Sequence, residues 1–233
     1  MMSHHRLCLV AFDMEGVLTA EPTLWEIMHR RLGTWESHGR RYWERYCAGE
    51  FCYDEFARMD VAVWRGAPLT WLQEAAYEVP LIAGSAEVMS RLGAGGVRLT
   101  IITNGLICLA KRLQHLWGVE FVYANDVRSE DGYLTGEIDL HVPYAAKGAV
   151  LRKLMATLGL KRGEVAAVGD SIADITMFRQ AGISVAFRPT HPSVAAAATH
   201  SVCGPDLLPL LEIILPRRGK HSAHGQAGGL MTS

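Results

Sequence analysis

The feature that most constrains the fold is an unbroken run of six apolar residues, Leu7–Phe12, which ends at Asp13 and Glu15. Such a run predicts a strand that is buried on both faces, as in a parallel sheet. Ligands of open α/β sheets bind at the carboxyl ends of the strands, so the two carboxylates stand where a functional site is expected. Alternate strand residues point to opposite faces of the sheet. The side chains of Asp13 and Glu15 would therefore leave on opposite sides unless the turn at Gly16 redirects one of them.

After this strand the chain changes character. Residues 20–83 hold five of the six tryptophans, show apolar residues at helical spacing and contain no strand-like run, so we expect a small helical insertion there. Beyond it, apolar strand runs alternate with helical patterns, which favours a doubly wound parallel sheet. We therefore predict an α/β fold in which residues 1–19 and 84–216 form the core, residues 20–83 a helical cap and residues 217–233 a flexible tail.

The bulk composition argues against several classes of partner. The chain is 49% hydrophobic and 20% charged with a formal net charge of -1, so neither nucleic acid nor a membrane surface would attract it electrostatically. No apolar run approaches the length of a membrane span, and the five cysteines contain no CxxC pair. We expect a cytoplasmic protein with reduced thiols and a small-molecule partner, while the oligomeric state stays open, a homodimer included.

Polar residues end two further buried strands in the same way. Thr103 and Asn104 follow the second predicted strand, and Asp170 and Asp174 follow the third. Asp170 and Asp174 are four residues apart at the start of a helix, so they share one face near the positive end of its dipole. Since the carboxyl ends of parallel strands meet at one edge of the sheet, all these groups should converge on the acidic pair of the first strand.

The predicted edge carries more negative charge than its single lysine, Lys147, can balance. Crowded carboxylates are costly unless a cation lies among them. Mg²⁺ prefers oxygen ligands and often binds phosphate substrates as well. The sequence therefore predicts a phosphate ester as substrate and a magnesium site with four candidate ligands: Asp13, Glu15, Asp170 and Asp174.

Two nucleotide-binding signatures are missing, since no GxGxxG loop follows the first strand and no GxxxxGK[ST] loop occurs. The ordered motifs instead resemble those of the haloacid dehalogenase superfamily, in particular its phosphoserine phosphatase-like branch. The resemblance covers about residues 7–215 and is stronger in the core than in the helical cap. The motifs are Asp13–Thr19, Thr103–Gly105, Lys147 and Gly169–Asp174.

The resemblance implies a mechanism for this chain. Asp13 would be the nucleophile that attacks phosphorus and forms an aspartyl-phosphate, and Glu15 would be the general acid and base. Thr103, Asn104 and Lys147 would bind the phosphoryl oxygens. The helical cap would close over the site and exclude water. The Mg²⁺ ligands would be Asp13, the backbone carbonyl of Glu15, Asp170 and, at or just behind them, Asp174.

The motifs also depart from the family pattern. The family usually has aspartate at the position of Glu15, and phosphoserine phosphatases usually have asparagine at Ala173. Glu21 and Arg58 are the candidates for substrate binding, Arg58 by analogy with a cap arginine that grips the substrate carboxylate. A glutamate at position 15 also resembles the bacterial phosphoserine:homoserine phosphotransferase. The leading hypothesis is a magnesium-dependent phosphatase of a small phosphomonoester, and the alternatives are a phosphotransferase and a catalytically silent phosphometabolite-binding protein.

Overall fold

A single sheet forms the centre of the molecule in the computed structural model, which describes residues 6–215. The predicted flexible tail, residues 217–233, lies outside the described residues. Within the described part of the chain the sheet has seven strands. The strands are β1 (Leu9–Phe12), β2 (Arg98–Leu106), β3 (Phe121–Glu130), β4 (Tyr133–Asp139), β5 (Val165–Gly169), β6 (Ile183–Phe187) and β7 (His200–Val202).

Helices fill the connections between these strands, apart from the β3–β4 hairpin. Four of them lie in the predicted insertion between β1 and β2. The insertion helices are α1 (Leu24–Arg31), α2 (Arg40–Cys47), α3 (Tyr53–Val63) and α4 (Leu69–Glu78). The other α-helices are α5 (Ser85–Ala94), α6 (Ile107–Trp117), α7 (Lys147–Leu158), α8 (Ile175–Phe178), α9 (Pro192–Ala197) and α10 (Pro209–Ile214).

The strand order is β4-β3-β2-β1-β5-β6-β7, and all neighbours are parallel except β3 and β4. The chain thus runs from β1 outward to β4, and then returns to the other side of β1 at β5. This reversal between β1 and β5 is the topological switch point at which ligands of doubly wound sheets bind. The predicted α/β fold with a doubly wound sheet is confirmed.

The sheet is buried on both faces, as the apolar composition of β1 predicts. Val10 and Phe12 belong to one hydrophobic cluster, and Leu9 and Ala11 belong to another. Residues of α5, α6 and α10 cover the first face, and residues of α7, α8 and α9 cover the second. All four β1 side chains are fully buried, so the strand is fixed and its carboxyl end is held in place.

The helical insertion packs on the core. Trp64 of α3 is fully buried and belongs to the same hydrophobic cluster as Phe12. The guanidinium of Arg112 on α6 donates to the carbonyl oxygens of Ala76 and Val79, both at 2.8 Å, and so joins the end of α4 to the core. The insertion leaves the sheet at the carboxyl end of β1, which places it beside the switch point.

Backbone hydrogen bonds hold the two linkers of the insertion together. The N–H of Ala20 donates to the carbonyl of Pro80 at 2.9 Å, and the N–H of Ile82 donates to that of Leu18 at 3.0 Å. The chain therefore enters and leaves the insertion as a paired connection.

A second attachment joins the insertion to the β3–β4 hairpin. The N–H of Gly66 donates to the carbonyl of Leu134, and the N–H of Leu134 donates to that of Ala67, both at 2.8 Å. These bonds occupy part of β4, an edge strand of the sheet. In residues 6–215 no helix has the length and apolar character needed to cross a bilayer.

Candidate active site

Asp13 lies at the switch point, held there by the backbone. Its N–H donates to the carbonyl of Val168 at 2.9 Å, which extends the pairing of β1 with β5 by one residue. Its Oδ1 accepts hydrogen bonds from the N–H of Met14 at 2.7 Å and from Nζ of Lys147 at 2.8 Å. Among the described residues no donor contacts Oδ2, so one oxygen of this buried carboxylate is left for a ligand.

A tight turn follows Asp13 and depends on Gly16. The N–H groups of Leu18 and Thr19 both donate to the carbonyl of Met14, which reverses the chain directly after the strand. Gly16 has φ +81°, and a Cβ built on it would lie 2.5 Å from Oδ2 of Asp170. Both the backbone conformation and the space therefore require glycine at this position. The close approach brings the turn after β1 against the carboxylate that follows β5.

Asp13, Asp170 and Asp174 form a buried cluster. Each offers one carboxylate oxygen, and these atoms lie within 4.8 Å of one another. Lys147, at the N-terminus of α7, is buried among them, with Nζ 2.8 Å from Asp13 Oδ1 and 2.7 Å from Asp174 Oδ1. The structure thus brings together groups that are up to 161 residues apart in the chain (13 to 174).

Asp174 organises the loop as well as the lysine. Its Oδ2 accepts hydrogen bonds from the N–H of Asp170 at 3.0 Å and from the N–H and Oγ of Ser171 at 2.9 Å. Its Oδ1 accepts from Lys147. Since protein donors occupy both of its oxygens, Asp174 orients Lys147 and the loop that carries Asp170. This placement fits the predicted position just behind the metal ligands.

The cluster carries more negative charge than the protein neutralises. Burial, and then the charge of Asp174, raises the pKa of Asp13, and Lys147 offsets this only in part. Burial, and then the charge of Asp13, raises the pKa of Asp170. Burial alone would lower the pKa of Lys147, but Asp13 and Asp174 hold it above its usual value, so the lysine stays charged. A divalent cation would remove the imbalance.

The residues present fit a hard divalent cation. Carboxylate oxygens of Asp13 and Asp170 converge, Oδ2 of Asp13 receives no donor from residues 6–215, and soft ligands such as cysteine thiolates are missing from the cluster. Oxygen ligands of this kind suit Mg²⁺.

Glu15 does not belong to this carboxylate cluster. Its Oε1 is buried without a hydrogen-bond partner, and a Cβ built on Gly105 would lie 2.8 Å from its Oε2. Burial, and then the charge of Asp13, raises the pKa of Glu15 to about 7, while the neighbouring Trp25 indole offsets this in part. The tight turn has thus directed Glu15 towards the end of β2, and its side chain suits proton transfer near neutral pH.

Thr103 and Asn104 lie in an irregular part of β2. The register with β3 shifts between Ile102 and Leu106, a bulge of the kind found beside active sites. The buried Thr103 hydroxyl accepts a hydrogen bond from the N–H of Gly105 at 2.9 Å. The side-chain amide of Asn104 donates to the carbonyls of Val142 at 2.9 Å and Pro143 at 3.1 Å, so it fixes the loop that leads to Lys147.

Two further residues hold this region, and the sequence analysis gave them no role. The amide of the fully buried Asn125 donates to the Asn104 carbonyl at 2.6 Å, and its Oδ1 accepts from the N–H of Val142 at 2.8 Å. The hydroxyl of Tyr53 on α3 donates to the same Asn104 carbonyl at 2.9 Å. Asn125 directly follows the apolar residues Phe121–Ala124 of β3, and this position after an apolar run is the signal that could have found it. The sequence offered no comparable signal for Tyr53.

The two predicted substrate-binding residues are exposed and lie outside the carboxylate cluster. Glu21 is exposed in the linker that leads into the insertion. Arg58 is exposed on α3, and its guanidinium donates at 3.3 Å to the carbonyl of Asp54, one turn earlier in the same helix. The structure therefore does not bring Arg58 to the carboxylate cluster. Ala173, by contrast, is buried directly beside Asp174.

Comparison with known proteins defines the class of protein. A family model described as haloacid dehalogenase-like hydrolase matches residues 10–179. Since this match spans more than half of the chain, the chain belongs to the haloacid dehalogenase-like hydrolase family.

Similar proteins narrow the assignment to one branch of this family. The chain is similar to the phosphoserine phosphatase of Methanocaldococcus jannaschii, with 26% identity over 77% of this chain and 84% of the relative. It is also similar to that of Streptococcus thermophilus, with 29% identity over 88% of this chain and 95% of the relative. A solved structure described as a phospho-aspartyl intermediate analogue of phosphoserine phosphatase shares the fold, with a TM-score of 0.81, 23% identity and coverage of 90% and 99% of the two chains. The predicted resemblance to the phosphoserine phosphatase-like branch is confirmed.

Proposed function

We propose that the protein is a Mg²⁺-dependent phosphatase that hydrolyses a small phosphomonoester through an aspartyl-phosphate on Asp13. The observation that carries the proposal is the convergence of Asp13, Asp170, Asp174 and Lys147 at the switch point of the sheet. The curated relatives named above are phosphoserine phosphatases, which supports hydrolysis of a phosphate ester.

The chain would hold Mg²⁺ through the carboxylates of Asp13 and Asp170 and the backbone carbonyl of Glu15, with Asp174 behind them. Bound there, Mg²⁺ would offset the charge of the incoming phosphate and polarise its oxygens. Lys147 would neutralise phosphoryl charge from the other side of Asp13, and its bond to Asp174 would keep it in position.

In the first half-reaction, the carboxylate of Asp13 attacks phosphorus in line with the leaving oxygen. The new bond joins Asp13 to phosphorus, the ester bond to the alcohol breaks, and the proton of Glu15 passes to the leaving oxygen. The Thr103 hydroxyl and the Asn104 backbone N–H hold phosphoryl oxygens. The hydrogen bonds of Asn104 to the loop before α7 keep this phosphate site in register with Lys147.

In the second half-reaction, the ionised Glu15 takes a proton from water, whose oxygen attacks phosphorus. The bond between Asp13 and phosphorus breaks, and inorganic phosphate and the free carboxylate result. A pKa of about 7 for Glu15 suits both roles, because the group can donate and accept a proton near neutral pH.

A substrate survey tests this function. Purified protein is incubated with a panel of small phosphate esters, and inorganic phosphate is measured with Mg²⁺ and with EDTA. We expect release that requires Mg²⁺. Glu15→Gln should lower the rate by about 10²-fold or more, since the amide cannot transfer the proton, whereas the exposed control Glu87→Gln should leave it unchanged.

The same survey separates hydrolysis from phosphotransfer. Homoserine is added to each reaction, and the phosphorylated product is measured beside inorganic phosphate. If the phosphorylated product requires homoserine and exceeds inorganic phosphate, the main reaction is phosphotransfer and not hydrolysis. No Mg²⁺-dependent turnover of any ester would refute the proposed function.

A further inference from the structure

The insertion presents aromatic side chains to the acid of the site. Trp25 on α1 lies beside Glu15, and its indole lowers the pKa of that carboxyl. The hydroxyl of Tyr53 on α3 donates a hydrogen bond to the carbonyl of Asn104 in the predicted phosphate-binding segment. The leaving group of a phosphate ester must lie beside the acid that protonates it, so these two aromatic residues border the space that a leaving group would occupy.

These two residues belong to a larger group that we term the aromatic cluster: Trp25, Tyr46, Tyr53, Phe56 and Tyr144. Phe56 lies at its centre, with ring centroids 5.9 Å from Trp25, 5.4 Å from Tyr46 and 5.9 Å from Tyr53. Tyr53 stacks on Tyr144 of the core loop at 6.1 Å. Tyr46, Tyr53 and Tyr144 are only half-buried, so the cluster is not closed off as a core would be.

The described ring contacts of the insertion's cationic side chains do not involve the aromatic cluster, since Arg30 lies over Trp35 and Arg45 over Phe51. Residues 20–83 contain no lysine and seven arginines, of which six are exposed and Arg31 is half-buried. Those with a described polar partner contact other groups of the insertion. The partners are Glu26 for Arg30, Glu74 and Glu78 for Arg31, Glu36 for Arg40, Glu50 for Arg45 and the backbone of Asp54 for Arg58.

The remaining charges beside the aromatic cluster are negative or already matched. Burial, followed by the charge of Glu15, raises the pKa of Tyr53, and Asp13 and Asp60 act in the same direction. Lys147 is shared between Asp13 and Asp174. Among residues 6–215 no arginine lies over a ring of the aromatic cluster, so a carboxylate in the leaving group would be desolvated beside the like charges of Glu15 and Asp13, which is unfavourable.

We propose that the aromatic cluster makes this enzyme selective for phosphomonoesters of uncharged alcohols that carry an aromatic or apolar face, and that it disfavours esters with a carboxylate in the leaving group, phosphoserine included. The inference rests on the proposed phosphatase function and specifies its substrate class. An aryl group would pack on the exposed edges and faces of the three tyrosines, where offset or edge-to-face contacts are favourable.

The test uses three esters whose leaving alcohols have similar basicity, so that chemical reactivity does not decide the order. They are 2-phenylethyl phosphate, ethyl phosphate and phosphoglycolate, with phosphoserine as a fourth. We expect kcat/KM to fall from the first to the third, with at least about a tenfold difference between 2-phenylethyl phosphate and phosphoglycolate. Phosphoserine should rank below ethyl phosphate.

A substitution within the cluster should reverse this order. Tyr46→Arg keeps a helix-compatible residue on α2 and introduces a cation beside the cluster, so kcat/KM for phosphoglycolate should rise about tenfold or more relative to 2-phenylethyl phosphate. The control Leu116→Arg, at an exposed position near the end of α6, should leave the order unchanged. Circular dichroism and thermal unfolding of both variants check that each is folded.

The two proposals fail in different ways. Mg²⁺-dependent hydrolysis that favours phosphoserine or phosphoglycolate over both uncharged esters would overturn the selectivity and leave the phosphatase function standing. An unchanged order in folded Tyr46→Arg would also overturn it. No hydrolysis of any of the four esters would overturn both.

Discussion

Buried charge is arranged in opposite ways in the two halves of the site region. At the strand ends, three carboxylates surround one lysine, and the pKa values of Asp13 and Asp170 are raised by burial and by neighbouring carboxylates. In the helical insertion, burial also raises the pKa of Asp60, but its described neighbours, above all His29 with Nε2 3.1 Å from Oδ1, lower that pKa. An unmatched charge is unfavourable for stability and is typical of a site that binds an ion or reacts, whereas a matched pair is explained by structure alone.

The largest effect should come from the proposed nucleophile. Asp13→Asn is expected to lower phosphate release by about 10⁴-fold or more, because a neutral amide does not attack phosphorus. The substitution also removes one of the crowded charges, so thermal stability should not fall. Steady-state rates measured with Mg²⁺ and thermal unfolding measured in EDTA check the two parts. Retention of more than about a tenth of the activity would exclude the covalent mechanism.

Loss of the buried pair in the insertion should lower the stability of the protein. Asp60→Ala leaves His29 buried without its partner, and breaking a buried pair in this way costs about 3–5 kcal/mol. Urea unfolding of the variant gives the value directly. Glu26→Ala is the matched control, since Glu26 pairs with Arg30 at the surface of the same insertion and its loss should cost no more than about 1 kcal/mol. Equal losses in the two variants would contradict the structural role of the buried pair.

A smaller effect of opposite sign is expected at the strand ends. Asp170→Asn removes one of the unmatched carboxylates, so in EDTA the free energy of unfolding should rise by about 0.5–2 kcal/mol. The exposed turn residue Asp131 supplies the control, since Asp131→Asn should leave stability unchanged. A loss of stability in Asp170→Asn under the same conditions would mean that the charges of the cluster are already balanced without a cation.

The strand ends were the part of the molecule that sequence reasoning could predict. A short apolar run such as Leu7–Phe12, ended by two carboxylates, favours a doubly buried strand, and parallel topology then brings its end to those of β2 and β5. Asp13 and Asp170 could therefore be placed together from the sequence. Their spacing in the chain carried no information, but their position after apolar runs did.

The contacts between insertion and core could not be predicted in this way. The hydroxyl of Tyr53 and the indole of Trp25 reach the site because α1 and α3 pack over it, and helical periodicity indicates only which face is buried, not what it meets. The same uncertainty affected Arg58, whose residue type suggested a substrate contact but whose place on α3 is exposed. The position of Asn125 after an apolar run was visible in the sequence, but its partners, which are backbone atoms of Asn104 and Val142, were not.

Binding of Mg²⁺ measured by isothermal titration calorimetry tests the central claim most directly, since it asks whether distant carboxylates form one ion site. The account predicts one Mg²⁺ per chain for the wild-type protein and for Asp131→Asn, and loss of that binding in both Asp13→Asn and Asp170→Asn. Wild-type affinity in both of the latter variants would contradict it, because the ion would then be held by other groups.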